Sequence, residues 1–239
     1  MKQKQKFLLL GIIMLIACAR MPHQQVDTPD TLSELPRDSF VFLLIKETTG
    51  SCFMNVCIEK PQTSIYSGSG FVVHNTPTGS IIATAAHVCL PEKEKSEIEY
   101  GISDIDGKSY EGKFLTAIVE HDLCLLHIEG LYKPPVKVAA APPKPGQRIY
   151  NIAAPAGIFN ADMVPILEGR YNGEDMKGRS IYSLPASGGS SGSMVLNRDY
   201  EVVGMIQALH TRFPTITIGP NFSVLKAFLA KGIKNFNSI

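Results

Sequence analysis

The chain has no tryptophan among its 239 residues, only five cysteines, and no apolar run long enough to cross a bilayer as a helix. Its longest such run, residues 7–17, falls well short of the roughly 20 residues a transmembrane helix needs. A polytopic membrane protein is excluded. Neither sign of charge dominates, since 23 Lys plus Arg stand against 22 Asp plus Glu for a formal +1. The basic footprint that nucleic-acid binding requires is therefore missing, and no nucleic-acid partner is expected. Six histidines and the cysteines show no paired ligand spacing, so no metal and no other cofactor is expected. What is present is 44% apolar content, 20 Gly and 16 Pro, which describes a globular chain of many turns and short strands rather than a helix bundle.

The N-terminus reads as an address. Lys2, Lys4 and Lys6 precede the short apolar run, as in a signal peptide over 1–17. The run ends Leu15-Ile-Ala-Cys18, which resembles the bacterial lipobox. The resemblance implies that Cys18 is lipidated and becomes the mature N-terminus, giving an exported, membrane-anchored lipoprotein on the periplasmic or cell-surface side. Two acyl chains suffice for stable anchoring at about 0.8 kcal/mol per buried CH₂. Residues 18–38, rich in Pro, Gln, Asp, Thr and Ser, then read as a flexible tether. In an oxidising compartment the remaining cysteines are free to pair. Cys52 and Cys57 flank four residues and are a possible disulfide; Cys124, inside an apolar run, reads as a buried small hydrophobe, and Cys89 has no evident mate.

Beyond the tether, apolar or β-branched runs recur at 40–45, 71–73, 81–88, 114–119, 123–128, 148–153, 163–167, 193–196, 201–208 and 215–218, nearly all separated by turn residues. Amphipathic helices are missing between them, which argues against parallel crossovers and for an all-β body. Only the end differs: Phe222, Leu225, Leu229 and Ile233 have helical spacing, with Asn221 or Ser223 as N-cap and Gly232 near the stop. The Lys133-Pro-Pro135 segment divides the body into 39–132 and 133–239.

Three segments carry chemistry. Gly68-Ser-Gly-Phe-Val-Val73 is followed by a strand that ends at His87 among small residues; Asp122 stands at the mouth of a second strand; and Gly188-Gly-Ser-Ser191-Gly-Ser193 is a loop able to aim consecutive N–H groups at one point. Singly, these are ordinary: a structural histidine, a turn acid, a loop serine. Together they occur in the order His, Asp, Ser, far enough apart in the chain for each to come from a different part of the fold. His121, His127, His74, His23 and His210 are assigned to surface or loop.

Thr84-Ala-Ala-His87, Asp122-Leu-Cys-Leu-Leu126, Gly189-Ser-Ser-Gly-Ser193 and Val202-Val-Gly-Met-Ile206 together resemble the chymotrypsin-like (trypsin-fold) serine peptidases, in particular the bacterial HtrA-like branch. The likeness runs from about Gly68 to Leu225, and no PDZ-type domain is expected after Ile239. It implies two six-stranded antiparallel β-barrels packed together, with a short C-terminal helix. It further implies His87 as general base, Asp122 as its orienting acid, Ser191 as nucleophile, and the N–H groups of Gly189 and Ser191 as an oxyanion hole, acting on polypeptide substrates.

The primary pocket is expected from Pro185, Ala186, Ser187 and Gly188 on one side and Gln207, Ala208 and Leu209 on the other, without a basal acid, for a small or medium apolar residue. Ser190 stands where animal members carry an Asp that pairs with a new N-terminus. Gln207 replaces a small residue, and Met194 a frequent Pro. Two rival readings stay open: a protease-fold lipoprotein with weak or absent turnover, and an α/β-hydrolase esterase using Ser190 within Gly188-Gly-Ser-Ser-Gly192.

Overall fold

The computed structural model describes residues 32–50, 52–53, 56–57, 61–92 and 96–236, without the side chains of 51–60. The expected signal peptide, Cys18 and most of the tether lie outside them. The packed body begins ahead of the first strand: Leu35 is buried, and Arg37 Nη2–H donates to the Asp162 carbonyl at 2.7 Å.

The first half closes as the expected six-stranded antiparallel barrel. Its strands are β1 (Phe40–Thr49), β4 (Gln62–Thr76), β5 (Gly79–Thr84), β6 (Glu97–Asp104), β7 (Ser109–Ile118) and β8 (Leu123–Glu129), in the order β1-β4-β5-β8-β7-β6. The interior is filled by the alternating inward side chains of these strands, among them Leu43, Ile45, Val72, Ile82, Ile102 and Leu126. β4 begins well before the apolar run at 71–73, because Gln62–Ser67 pair with β1 through the backbone while staying largely exposed. Two-residue strands β2 (Cys52–Phe53) and β3 (Val56–Cys57) set Cys52 opposite Cys57 in a small ladder. The expected bridge between those side chains lies outside the described ones.

The second half is a seven-stranded sheet, ordered β13-β12-β9-β10-β11-β15-β14. Its members are β9 (Arg148–Ile152), β10 (Ile166–Glu174), β11 (Ser180–Tyr182), β12 (Met194–Leu196), β13 (Val202–Met205), β14 (Ala208–His210) and β15 (Phe213–Gly219). The expected sixth-strand closure and the seven observed strands reconcile at one bend. β13 and β14 occupy opposite edges of the sheet yet are joined by only Ile206 and Gln207, so they are two halves of a single bent strand that draws the edges together. Around the bend Ile206 N–H donates to Ser193 O, Gly192 N–H to Ile206 O and Gln207 N–H to Ile218 O.

α1 is a single turn, Ala86–Cys89. α2, Phe222–Phe236, starts at Asn221, whose Oδ1 accepts the Ser223 N–H at 2.8 Å. It does not stop near Gly232 as expected. There the missing side chain lets the helix lie against Leu125 of β8, which a Cβ would strike, so packing rather than termination explains this glycine. β8 is thereby covered on both faces, and all but its last residue are buried.

Two cysteine expectations are corrected. Cys89 and Cys124 form a disulfide, both fully buried. Neither is a free small hydrophobe, because α1 and the start of β8 face each other across the barrel mouth. Closing a loop of 35 residues contributes on the order of 3–4 kcal/mol.

His127 is likewise not at the surface. It is 8% exposed, stacks on Phe236 with ring centroids 5.1 Å apart, and meets the Thr76 and Thr78 hydroxyls through Nε2 at 3.2 and 3.3 Å. Burial, aided by the Lys113 charge and opposed by that of Glu129, lowers its pKa below the ordinary 6.5. The unfolded chain thus takes up this proton at a higher pH than the native one. The stability contributed is complete above pH 6.5 and is lost as pH falls from there through the native pKa. Melting temperature should consequently fall more steeply between about pH 7.5 and 5 in the parent than in His127→Gln; parallel curves would contradict this.

Candidate active site

His87 sits in the middle of α1, and Asp122 follows a 3₁₀ turn, Val119–His121, just ahead of β8. Asp122 adopts a left-handed backbone (φ 49°), a conformation Asp tolerates better than most residues. Both of its carboxylate oxygens are engaged by one residue: Oδ1 accepts the His87 backbone N–H and Oδ2 meets His87 Nδ1, each at 2.8 Å. A carboxylate only accepts, so the proton lies on Nδ1 and Nε2 is left as an acceptor. The pair is open to solvent, with side-chain exposures of 51% and 28%.

Gln207 braces this acid from the second sheet. Its amide Nε2 donates to the carbonyls of His121 (2.6 Å) and Asp122 (2.8 Å), while its own backbone carbonyl accepts the Ser191 hydroxyl at 3.3 Å. One residue therefore touches both Asp122 and Ser191. The Ser191 hydroxyl is directed at Gln207 rather than at the imidazole, with which it makes no hydrogen bond among the described residues.

The loop bearing Ser191 is stitched to the first barrel by Ser69, a fully buried residue of β4. Ser69 N–H donates to Ser191 O at 2.8 Å, its Oγ–H donates to Gly189 O at 2.7 Å, and Oγ accepts from Ala154 N–H at 3.1 Å. Gly192, at φ 86°, lies so close to Ser69 O and Thr84 Oγ1 that no Cβ fits. Thr84 ends β5 three residues before His87, so this contact brings Ser191 to the base of α1. Ser69 and Gln207 are the functional candidates whose roles sequence reasoning missed. The Gly68-Ser-Gly motif flagged the place of the first, though not its partners.

Gly189 N–H and Ser191 N–H make no hydrogen bond among the described residues. The Gly188 carbonyl accepts Ala156 N–H at 2.6 Å, and across a trans peptide this turns Gly189 N–H the opposite way, off the Ala154–Gly157 turn. Gly189 has φ 93°, and a Cβ there would strike Ala154 O. Neighbouring N–H groups are bound internally, that of Ser190 to Ser187 O and that of Ser193 to Ser190 O. The arrangement presents two free donors beside a serine hydroxyl.

Ser190 is 1% exposed, with its Oγ accepting the Ser187 N–H at 3.3 Å. A buried Ser190 on an all-β fold removes the α/β-hydrolase reading, which requires an exposed nucleophile on a strand-to-helix turn. A cavity of about 210 Å³ adjoins Ser191, lined by Ala186, Ser187, Gly188, Ser190, Ile206, Ala208 and Leu209. Two expected lining residues fall outside it: Pro185 is exposed, and Gln207 is turned toward Asp122. Ser190 and Ile206 take their places, because the β13–β14 bend presents Ile206 and Ala208 to the cavity.

Comparison with known proteins agrees with this architecture. No curated protein sequence matches the chain. The serine endoprotease from Yersinia pestis aligns with a TM-score of 0.63 and 16% identity, over 83% of this chain and 64% of that one. The inactive form of a serine-to-alanine mutant of Rv3671c from Mycobacterium tuberculosis aligns with a TM-score of 0.60 and 18% identity, over 86% and 91%. At these identities the likeness speaks for the fold. Residues 68–205, more than half of the chain and including His87, Asp122 and Ser191, match the trypsin-like peptidase domain. With a closed barrel, a second curled sheet and that match, the chain belongs to the trypsin-like peptidase family.

Proposed function

We propose that this protein is a serine endopeptidase, held at a membrane by a lipidated Cys18, that hydrolyses peptide bonds through an acyl-enzyme on Ser191. The observation that carries the reading is the Asp122 carboxylate, whose two oxygens fix His87 with Nε2 free to accept a proton. His87 takes the Ser191 proton as Oγ attacks the scissile carbonyl. Asp122 stabilises the imidazolium, and the N–H groups of Gly189 and Ser191 receive the oxyanion. Collapse passes the proton from His87 to the leaving amine. Water, deprotonated by the same imidazole, then releases the acyl group.

The cavity beside Ser191 favours a small or medium apolar residue before the cut, since Ile206 and Leu209 line it and no charged side chain does. Anchoring rests on Leu15-Ile-Ala-Cys18. A protease-fold lipoprotein with little turnover is the second reading, favoured by one observation, the Ser191 hydroxyl directed at the Gln207 carbonyl.

A fluorophosphonate probe on membrane fractions separates these. The parent should label in the membrane fraction, Ser191→Ala and His87→Ala should not label, and Cys18→Ser should label in the soluble fraction. Labelling that survives both active-site changes would reject the triad. A labelled Cys18→Ser that stays with membranes would reject the anchor. Ser69→Ala leaves the Gly189 carbonyl and Ala154 N–H without their buried partner, at roughly 1–3 kcal/mol. It should also slow labelling by about tenfold or more by loosening the loop; unchanged labelling would take Ser69 out of the account.

A further inference from the structure

We propose that the Cys89–Cys124 disulfide is a positioning element for the His87–Asp122 pair, so that turnover requires the oxidised chain. The inference rests on the reading of His87 and Asp122 as base and orienting acid. Cys89 lies two residues after His87, and Cys124 two residues after Asp122. The two links therefore have the same separation of 35 residues, offset by two along the chain, one covalent and buried, the other hydrogen-bonded and open to water. They tie the same two segments side by side.

The carriers of the pair are slight without the bridge. α1 is four residues long, and its N-cap, Ala85, makes no side-chain cap. The Val119–His121 turn before Asp122 contributes no buried residue. β8 itself is secure, with Cys124 in register with Thr84 on one side and Ala117 on the other. The bridge transfers that security to the C-terminal end of α1. Two further contacts keep the helix folded against the barrel without reaching Asp122: buried Val88 lies against Gly68, and the Tyr100 hydroxyl donates to Cys89 O at 2.8 Å. Removal of the bridge accordingly leaves the helix formed and frees its set against Asp122. A displacement of about 1 Å at such a site is enough for losses on the order of a hundredfold.

Reduction is a balanced two-electron step. A dithiothreitol thiolate attacks one sulfur, the S–S bond breaks, and the reagent's second thiolate then displaces the protein thiol. Two electrons and two protons end on Cys89 and Cys124, and the reagent leaves as its cyclic disulfide.

The test uses the full chain and a peptide substrate, comparing oxidised protein, dithiothreitol-treated protein with free thiols counted by alkylation and mass spectrometry, and Cys89→Ala/Cys124→Ala. The expected result is a fall in kcat of about 10- to 100-fold, KM within about threefold, a shifted acid limb in the kcat/KM pH profile, and a retained cooperative melt. Dithiothreitol should do nothing further to the double variant, which separates this bridge from any effect at Cys52 and Cys57. A folded, reduced or double-variant protein with parental kcat overturns the proposal. So does loss of the cooperative melt in both arms, since the bridge then serves stability alone. Ser191→Ala is run beside them: if it keeps parental activity, the peptidase reading itself fails, an outcome distinct from failure of the clasp.

Discussion

Asp122 gives both of its carboxylate oxygens to His87, and the rest of the site is arranged around that pairing. One bond takes the backbone N–H and sets where α1 begins its turn; the other takes Nδ1 and sets the plane of the ring. An imidazole held by one bond would still rotate, whereas one held through backbone and ring together points Nε2 in a single direction. Because the pair is half open to water, its geometry has to come from covalent and backbone constraints more than from burial. The left-handed turn at Asp122, the Gln207 amide on the carbonyls beneath it and the Cys89–Cys124 bridge each supply part of that constraint.

The second half of the site comes from a different sheet and is joined to the first through a narrow polar seam. Ser69 is the centre of this seam: its backbone N–H and its hydroxyl make three hydrogen bonds, to Ser191, Gly189 and Ala154, all across the interface between the sheets. Buried hydrogen bonds of this kind contribute little net stability each, yet leaving any of them unmade is costly. The loop is thus held in register, and the glycines at 189 and 192 are required by positive φ and by backbone contact on the side where a Cβ would stand.

Much of this was legible in the residues alone. Apolar and β-branched runs between turn residues locate most strands, and His87, Asp122 and Ser191 are marked by the small or apolar residues around them in the expected order. Where reading failed, the cause was tertiary. Gly232 looks like a helix stop because glycine usually is one, but here it answers Leu125. Cys89 lacked a mate because nothing local says that α1 faces β8, although the equal two-residue offsets from His87 and Asp122 were a usable signal. His127 looked like a surface residue on an apolar strand until α2 covered it. Gln207 stands where the resemblance leads one to expect a small residue; its length is what lets it reach the His121 and Asp122 carbonyls.

The claim beneath all of this is that Ser191, His87 and the two free N–H groups act on one tetrahedral centre. A crystal structure of the protein bound to a peptidyl boronic acid tests that most directly. The account predicts boron bonded to Ser191 Oγ, one boronate oxygen about 2.7–3.1 Å from both Gly189 N and Ser191 N, and His87 Nε2 in hydrogen-bond reach of the adduct while Asp122 keeps both bonds to His87. Boron on another residue, or a Gly188–Gly189 peptide turned so that its carbonyl faces the boronate, would contradict it.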